Sequence, residues 1–157
     1  MPQYTPRALK RSPSQVYSLV IGVSLTLAGI VGFLYSADFS TGSAAGDPGN
    51  RDAVLGVLDV NGWHNVVHLA TGLLGLAVAG SYDASRRFAL GLGVVYALVT
   101  LLGLLYGADD AIIGLVPINA EDNVLHALIA LAGLAAWAAT PSAPRPTVGS
   151  RAAVSRL

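Results

Sequence analysis

The chain has 157 residues, no cysteine and a formal net charge of zero. It is 54% hydrophobic and 11% charged, with a mean hydropathy of +0.61, whereas soluble domains carry about 25% charged residues. That balance excludes an ordinary water-soluble body. The missing thiols exclude disulfide, thiolate-metal and thiol-nucleophile chemistry, and the absence of a basic face excludes a nucleic-acid binder.

A basic tail, residues 1–15, carries Arg7, Lys10 and Arg11 and leads into the first of four apolar segments, at about 16–35, 62–81, 88–106 and 123–140. A stretch of about 20 residues crosses a hydrocarbon core of roughly 30 Å when helical. Helices satisfy their own backbone hydrogen bonds and are the expected spanning form. The strands of a membrane barrel would alternate in hydrophobicity over about ten residues, and these runs do not alternate. The first segment, with its basic front and the small residues Gly42, Ser43, Ala44 and Ala45 after it, has some features of a cleaved signal peptide. Its apolar core is longer than the usual ~7–15 residues and its pattern recurs later in the chain, so it is expected to remain as a span. The first outer loop, 36–60, is rich in Gly, Ser and Asp, and its 51–60 stretch reads as a short interfacial helix. Arg86 and Arg87 read as the turn between the second and third spans. The second outer loop, 107–117, carries an apolar run at 111–116 expected to dip into the membrane interface. The tail 141–157 is rich in Pro, Ser and Arg and is expected to be disordered.

Charge is sorted along the chain. Arg7, Lys10, Arg11, Arg86, Arg87, Arg145, Arg151 and Arg156 all fall on one side, with only Arg51 opposite. Asp38, Asp47, Asp52, Asp59, Asp109, Asp110, Glu121 and Asp122 fall on the other side, and only Asp83 breaks the pattern. Positive residues stay inside, so both termini are expected in the cytoplasm, with the protein in the inner (plasma) membrane.

The two halves resemble each other. Gly32-Phe-Leu-Tyr-Ser-Ala-Asp38 matches Gly103-Leu-Leu-Tyr-Gly-Ala-Asp109, and Val60-Asn-Gly-Trp-His-Asn-Val-Val-His68 matches Ile118-Asn-Ala-Glu-Asp-Asn-Val-Leu-His126. The offset is 71 residues for the first pair and 58 for the second. Both hairpins start and end inside, so the repeat is parallel, with a pseudo-twofold axis along the membrane normal, unlike the inverted repeats of many transporters. The expected fold is an all-α integral-membrane four-helix bundle made of two helical hairpins. The motif Gly62–His68, the Arg86-Arg87 pair and the pattern Asn119…Asp122-Asn-Val-Leu-His126 resemble a bacterial membrane-protein family known as domain of unknown function 4383, over about residues 15–140. The resemblance implies a four-helix inner-membrane protein and carries no catalytic residues with it.

All three histidines sit near the outer ends of the second and fourth spans. Asn61, Asn65 and His68 share one helix face, as do Asn119, Asn123 and His126, and Asp122 stands where the first half has His64. Pseudo-symmetry would converge His64, His68, Asp122 and His126. Three imidazoles and a carboxylate suit zinc, copper or iron, and His68 with His126 would suit haem b held from both sides. The alternative is structural. Asn61 and Asn119 have the character of helix N-caps, Glu121 and Asp122 suit the first turn of a helix, and Asn65, Asn123, His68 and His126 would hydrogen-bond across helices.

Ser24, Ala28 and Gly32 form a small-residue stripe suited to close helix contact. Tyr35, Trp63, Tyr82 and Tyr106 fit an aromatic belt, and Asp38 and Asp109 fit the headgroup zone. No phosphate loop, nucleophile elbow or zinc-protease motif is present. Few polar residues lie deep in the spans (Ser24, Thr26, Thr71 and Thr100), which argues against a carrier or channel. The sequence therefore favours a non-enzymatic structural or accessory subunit that contacts the bilayer and a membrane-protein partner or a second copy of itself. The alternative is a haem- or metal-binding redox protein.

Overall fold

The computed structural model describes residues 10–47, 52–107 and 110–142. The expectations for Arg7, Arg51, Asp109, Arg145, Arg151, Arg156 and the tail beyond residue 142 fall outside the described residues. The described residues are predominantly helical, with four long helices among five.

Helix α1, Pro13–Tyr35, starts at a capping box: the Ser12 hydroxyl accepts from Gln15 N–H while the Gln15 side chain accepts from Ser12 N–H, and Pro13 occupies the first helical position. A single helical turn, α2, covers Ser43–Gly46. Helix α3, Gly62–Val78, is capped by Asn61. Helix α4, Tyr82–Tyr106, is capped by Ser81, with Asp83 in its first turn. Arg86 and Arg87 therefore lie inside α4 and do not form the connecting turn. A Ser N-cap followed by an acid two residues on starts a helix there, which leaves only Ala79–Ser81 as the link. Helix α5, Ala120–Ala138, is capped by Asn119, with Asp122 closing the capping box. Of these, α1 and α4 are long and apolar enough to cross a membrane. The polar first turns of α3 and α5, carrying Asn, His, Glu and Asp, shorten their apolar lengths.

The fold is not purely α. The 51–60 stretch is no interfacial helix: β1 (Asp52–Val54) pairs antiparallel with β2 (Leu58–Val60). The apolar run at 111–116 belongs to a second hairpin, β3 (Asp110–Ile112) with β4 (Val116–Ile118). The registers correspond at an offset of 58: Asp52 faces Val60, and Asp110 faces Ile118. Both turns close with the N–H of the fourth residue on the carbonyl of the first, Val57 to Val54 and Leu115 to Ile112. Their central residues, Leu55-Gly56 and Ile113-Gly114, all have positive φ, the type I′ geometry that matches strand twist. Leu55 and Ile113 are exposed in a left-handed conformation that costs an L-residue roughly 1–2 kcal/mol.

The helices pair α1 with α3 and α4 with α5, through glycine. A Cβ on Gly22 would stand 2.7 Å from Leu76 N, one on Gly29 would stand 2.8 Å from Asn65 O, and one on Gly72 would land on the backbone nitrogen and hydroxyl of Thr26. The close-contact stripe on α1 is thus Gly22, Gly29 and Gly32. Ser24 is exposed and Ala28 only half-buried, both on the wall of an open cavity and not against α3, so the expected Ser24–Ala28–Gly32 stripe shares only its last member with the real one. On the other pair, Gly93 meets Leu134 as Gly22 meets Leu76, and Gly133 meets the Ala89 carbonyl as Gly75 meets that of Ser18. A core of Tyr17, Leu25, Phe88, Ala89, Leu92, Tyr96 and Ala130 lies between the pairs.

Polar bonds tie both ends. At one, Ser14 N–H donates to Thr140 Oγ1 at 3.0 Å, Gln15 Nε2 to Gly80 O at 3.2 Å and Arg86 Nε to Thr140 O at 2.6 Å, with the Arg86 guanidinium 5.1 Å from the centre of the Trp137 ring. At the other, the caps reach across: Asn61 Nδ2 donates to Leu115 O at 2.8 Å, and Asn119 Nδ2 donates to Val57 O at 2.7 Å. Each helix start is thereby bound to the turn of the other hairpin. The first outer loop joins in, with Gly42 N–H on Gly114 O at 2.8 Å.

Candidate metal centre

The site grows out of the starts of α3 and α5. Asn61 Oδ1 accepts from His64 N–H at 2.9 Å, which fixes the first turn of α3 and turns His64 inward, where it is 2% exposed. His68 follows one turn later. On α5, Asn119 Oδ1 accepts from Asp122 N–H at 2.8 Å, and His126 comes one turn after Asp122. The two first turns face each other. The His64 ring centre lies 4.3 Å from that of His68 and 6.1 Å from that of His126, and Tyr96 of α4 meets His126 edge-on at 5.2 Å. One ring nitrogen from each of His64, His68 and His126 lies within 4.8 Å of the others, so the three form a group able to hold a metal ion.

His64 Nδ1 is 2.9 Å from the Asp59 carbonyl. A carbonyl only accepts, so Nδ1 carries the hydrogen and Nε2 presents its lone pair. Fixing one ring nitrogen on a carbonyl to aim the other is the usual outer-shell support of a metal-binding histidine. Nδ1 of His68 and Nδ1 of His126 are buried and meet no hydrogen-bond partner among the described residues, an arrangement that costs about 1–3 kcal/mol per buried polar group.

Asp122 lines the same cavity, but its carboxylate is engaged elsewhere. Oδ2 accepts from Asp59 N–H at 3.1 Å and from Asn119 N–H at 3.4 Å. It stands outside the three-nitrogen group. Asn65 donates to Ser36 O at 2.8 Å, binding the start of α3 to the end of α1, and its amide packs on Gly32 where no Cβ would fit; Asn123 packs on Gly103 in the same way. Trp63 does not cover the histidines. Its Nε1 donates to Phe39 O at 3.1 Å and its ring meets Phe39 edge-on at 5.0 Å. Beyond α1, Asp38 accepts from Ser40, whose hydroxyl and amide hold its carboxyl below the usual carboxylate range.

Sequence reasoning missed three contributors. The Asp59 backbone carries no side-chain signal. Tyr96 reads as one more residue of an apolar span, and the first hairpin reads as a short interfacial helix. Tyr96 stands 71 residues after Leu25, so the offset between the first and third spans marks it as the counterpart of a residue that lines the cavity.

The arrangement defines a predominantly helical protein with two membrane-length helices and a buried three-histidine cluster at the end opposite Arg86. The chain belongs to the family described as Domain of unknown function (DUF4383), whose model matches residues 15–139. That span includes α3, α4 and α5, all of α1 but its first two residues, both hairpins and every residue of the cluster. Comparison with curated proteins and with solved structures found no match.

Proposed function

We propose that the protein is a four-span inner-membrane protein, two parallel helical hairpins with both termini cytoplasmic, and that it holds one divalent transition-metal ion of the zinc class on His64, His68 and His126. The membrane part is supported by where the apolar residues lie. A core helix of a soluble protein is mostly buried, yet only 33% of the most apolar window of α1 and 28% of that of α4 is buried. Leu34, Leu104, Leu105 and Leu131 stand exposed on long helices, a surface that lipid tolerates and water does not. Lys10, Arg11, Arg86 and Arg87 gather at one end, which supports a cytoplasmic position for it. The lack of native cysteine gives a direct test. In sealed right-side-out vesicles, a membrane-impermeant maleimide should label Leu55→Cys and leave Lys10→Cys unlabelled until the vesicles are opened. The reverse pattern would invert the protein.

The metal part rests on the three convergent ring nitrogens, one of them pre-aimed by a carbonyl. A purely structural role accounts for the asparagines, which cap and tie, but leaves the Nδ1 atoms of His68 and His126 unused. The compactness of the cluster favours an ion over haem, because His64 lies in the space a porphyrin would need around iron held between His68 and His126. Nitrogens on one tetrahedral zinc lie about 3.3 Å apart at Zn–N of about 2.0–2.1 Å, so loading draws the rings inward by small rotations. Three protein ligands leave a fourth position open, the pattern of sites that bind a further ligand at the metal. Protein purified in mild detergent, after expression with zinc supplied, should hold about one zinc per chain and turn blue with cobalt, with affinity falling on acidification as protons compete for the imidazoles. Failure to take up zinc, cobalt, copper or iron would refute the metal reading.

A further inference from the structure

The histidine cluster is one end of a cavity of about 320 Å³. The rest of its wall is almost wholly apolar. Helix α1 contributes Leu25, Ala28 and Val31, helix α5 contributes Leu125 and Ile129, and Val54 and Leu58 of the first hairpin roof it. The polar residues His64, His68, Asp122 and His126 gather on one side. Along α1 the cavity runs from Val31, near the outer end, to Ile21, near mid-helix, so its long direction follows the helices. Ala28 and Ser24 leave room where larger residues would close the wall. On the other side of the molecule the residue 71 positions after Leu25 is Tyr96, whose buried ring packs on His126. Where the cavity wall has Leu25, the other half thus has a bulkier aromatic residue.

A cavity that is apolar along its length and polar at one end fits a molecule built the same way. We propose that it takes a bilayer-borne amphiphile, a single apolar chain with an oxygen-bearing head, the chain lying between α1 and α5 and the head oxygen completing the coordination of the metal. This rests on the metal reading above. Within a bilayer, burying a chain gains little from the hydrophobic effect, because lipid is as apolar as the wall. Selectivity must come from the bond between head and metal and from the shape of the cavity. The orientation matches a lipid of the outer leaflet, head at the histidines and chain toward mid-membrane.

The test uses the full chain in detergent, loaded with cobalt, with metal content measured on the same sample. The probes are acetohydroxamic acid and dodecyl hydroxamic acid, which share a chelating head and differ in the chain. The long probe should perturb the cobalt spectrum at a concentration at least about tenfold lower than the short one. Micelles also concentrate the long probe, so the deciding comparison is with Ala28→Trp and Ser24→Phe, which fill the cavity and leave the histidines in place. In either variant the short probe should act as in the parent, while the advantage of the long probe falls several-fold. An undiminished advantage in both variants overturns the cavity as the chain's site. If the parent holds no metal, the metal reading has failed by itself. The cavity is then judged by native mass spectrometry: dodecyl hydroxamic acid retained by the parent and lost from both variants upholds chain binding, and equal retention overturns it.

Discussion

His64→Ala, His68→Ala and His126→Ala are each expected to weaken zinc binding at least about 100-fold, since removing even an outer-shell partner of a metal ligand commonly costs about 10–100-fold. Isothermal titration of purified, metal-stripped protein would measure it. Asp122→Asn should stay within about tenfold of the parent, because the Asp122 carboxylate is engaged by the N–H groups of Asp59 and Asn119. That contrast separates a three-histidine site from one with four protein ligands. A second reading comes from the melting temperature of the metal-free variants. If His68 and His126 were polar glue, their loss would destabilise the metal-free protein. Their buried Nδ1 atoms meet no hydrogen-bond partner among the described residues, so their removal should change metal-free stability little while abolishing the stabilisation that zinc confers. A large loss of metal-free stability with zinc affinity intact would sink the assignment.

The other large effect is expected at the helix contacts. Gly72→Val should destabilise the protein by about 3 kcal/mol or more, at the upper end of overpacking costs, or prevent its accumulation in the membrane. Its Cβ has no space, being set against the backbone of Thr26, and that backbone cannot step aside without parting α1 from α3. Gly91→Ala on α4 is the control. A Cβ there meets nothing within 4 Å, and replacing a mid-helix glycine gains up to about 1 kcal/mol in propensity. Thermal unfolding in one detergent would read both. Similar melting temperatures for the two variants would show that the glycine contacts do not hold the helices together.

Much of the plan was legible because long apolar runs and the recurrence of Gly-x-x-Tyr-x-Ala-Asp and Asn-x-x-x-Asn-Val-x-His are strong signals. Four-residue spacing on α3 and the 58-residue offset to α5 marked His64, His68 and His126 as candidates, but whether the two helix faces meet was not in the sequence and is seen in the structure. The hairpins were not read. A type I′ turn ordinarily declares itself by Asn-Gly or Asp-Gly, and here Leu55-Gly56 and Ile113-Gly114 serve in an apolar context. The signal was nonetheless present, since Asp52-Ala-Val-Leu-Gly56 and Asp110-Ala-Ile-Ile-Gly114 share three of five residues. The stripe on α1 was misjudged because strict four-residue spacing picked Ser24 and Ala28, while the face turned to α3 steps through Gly22, Gly29 and Gly32. The place of Arg86 was misjudged because charge was read as a loop where Ser81 already starts a helix. The cavity had no sequence signal, as it arises from what Ala28 and Ser24 leave empty between two helices far apart in the chain.

The crossed clasp of Asn61 on Leu115 and Asn119 on Val57 bears on how the chain is made. A protein synthesised from its N-terminus delivers α1, the first hairpin and α3 first, but the carbonyl that holds Asn61 lies 54 residues downstream. Asn61 therefore waits for its acceptor until the second hairpin is made, and His64 and His68 wait beside it. The clasp has its partners once the second hairpin and Asn119 follow, and α5 then brings the third histidine. Assembly of the site is thus the last event, and a chain truncated before α5 lacks His126 and with it the three-histidine group.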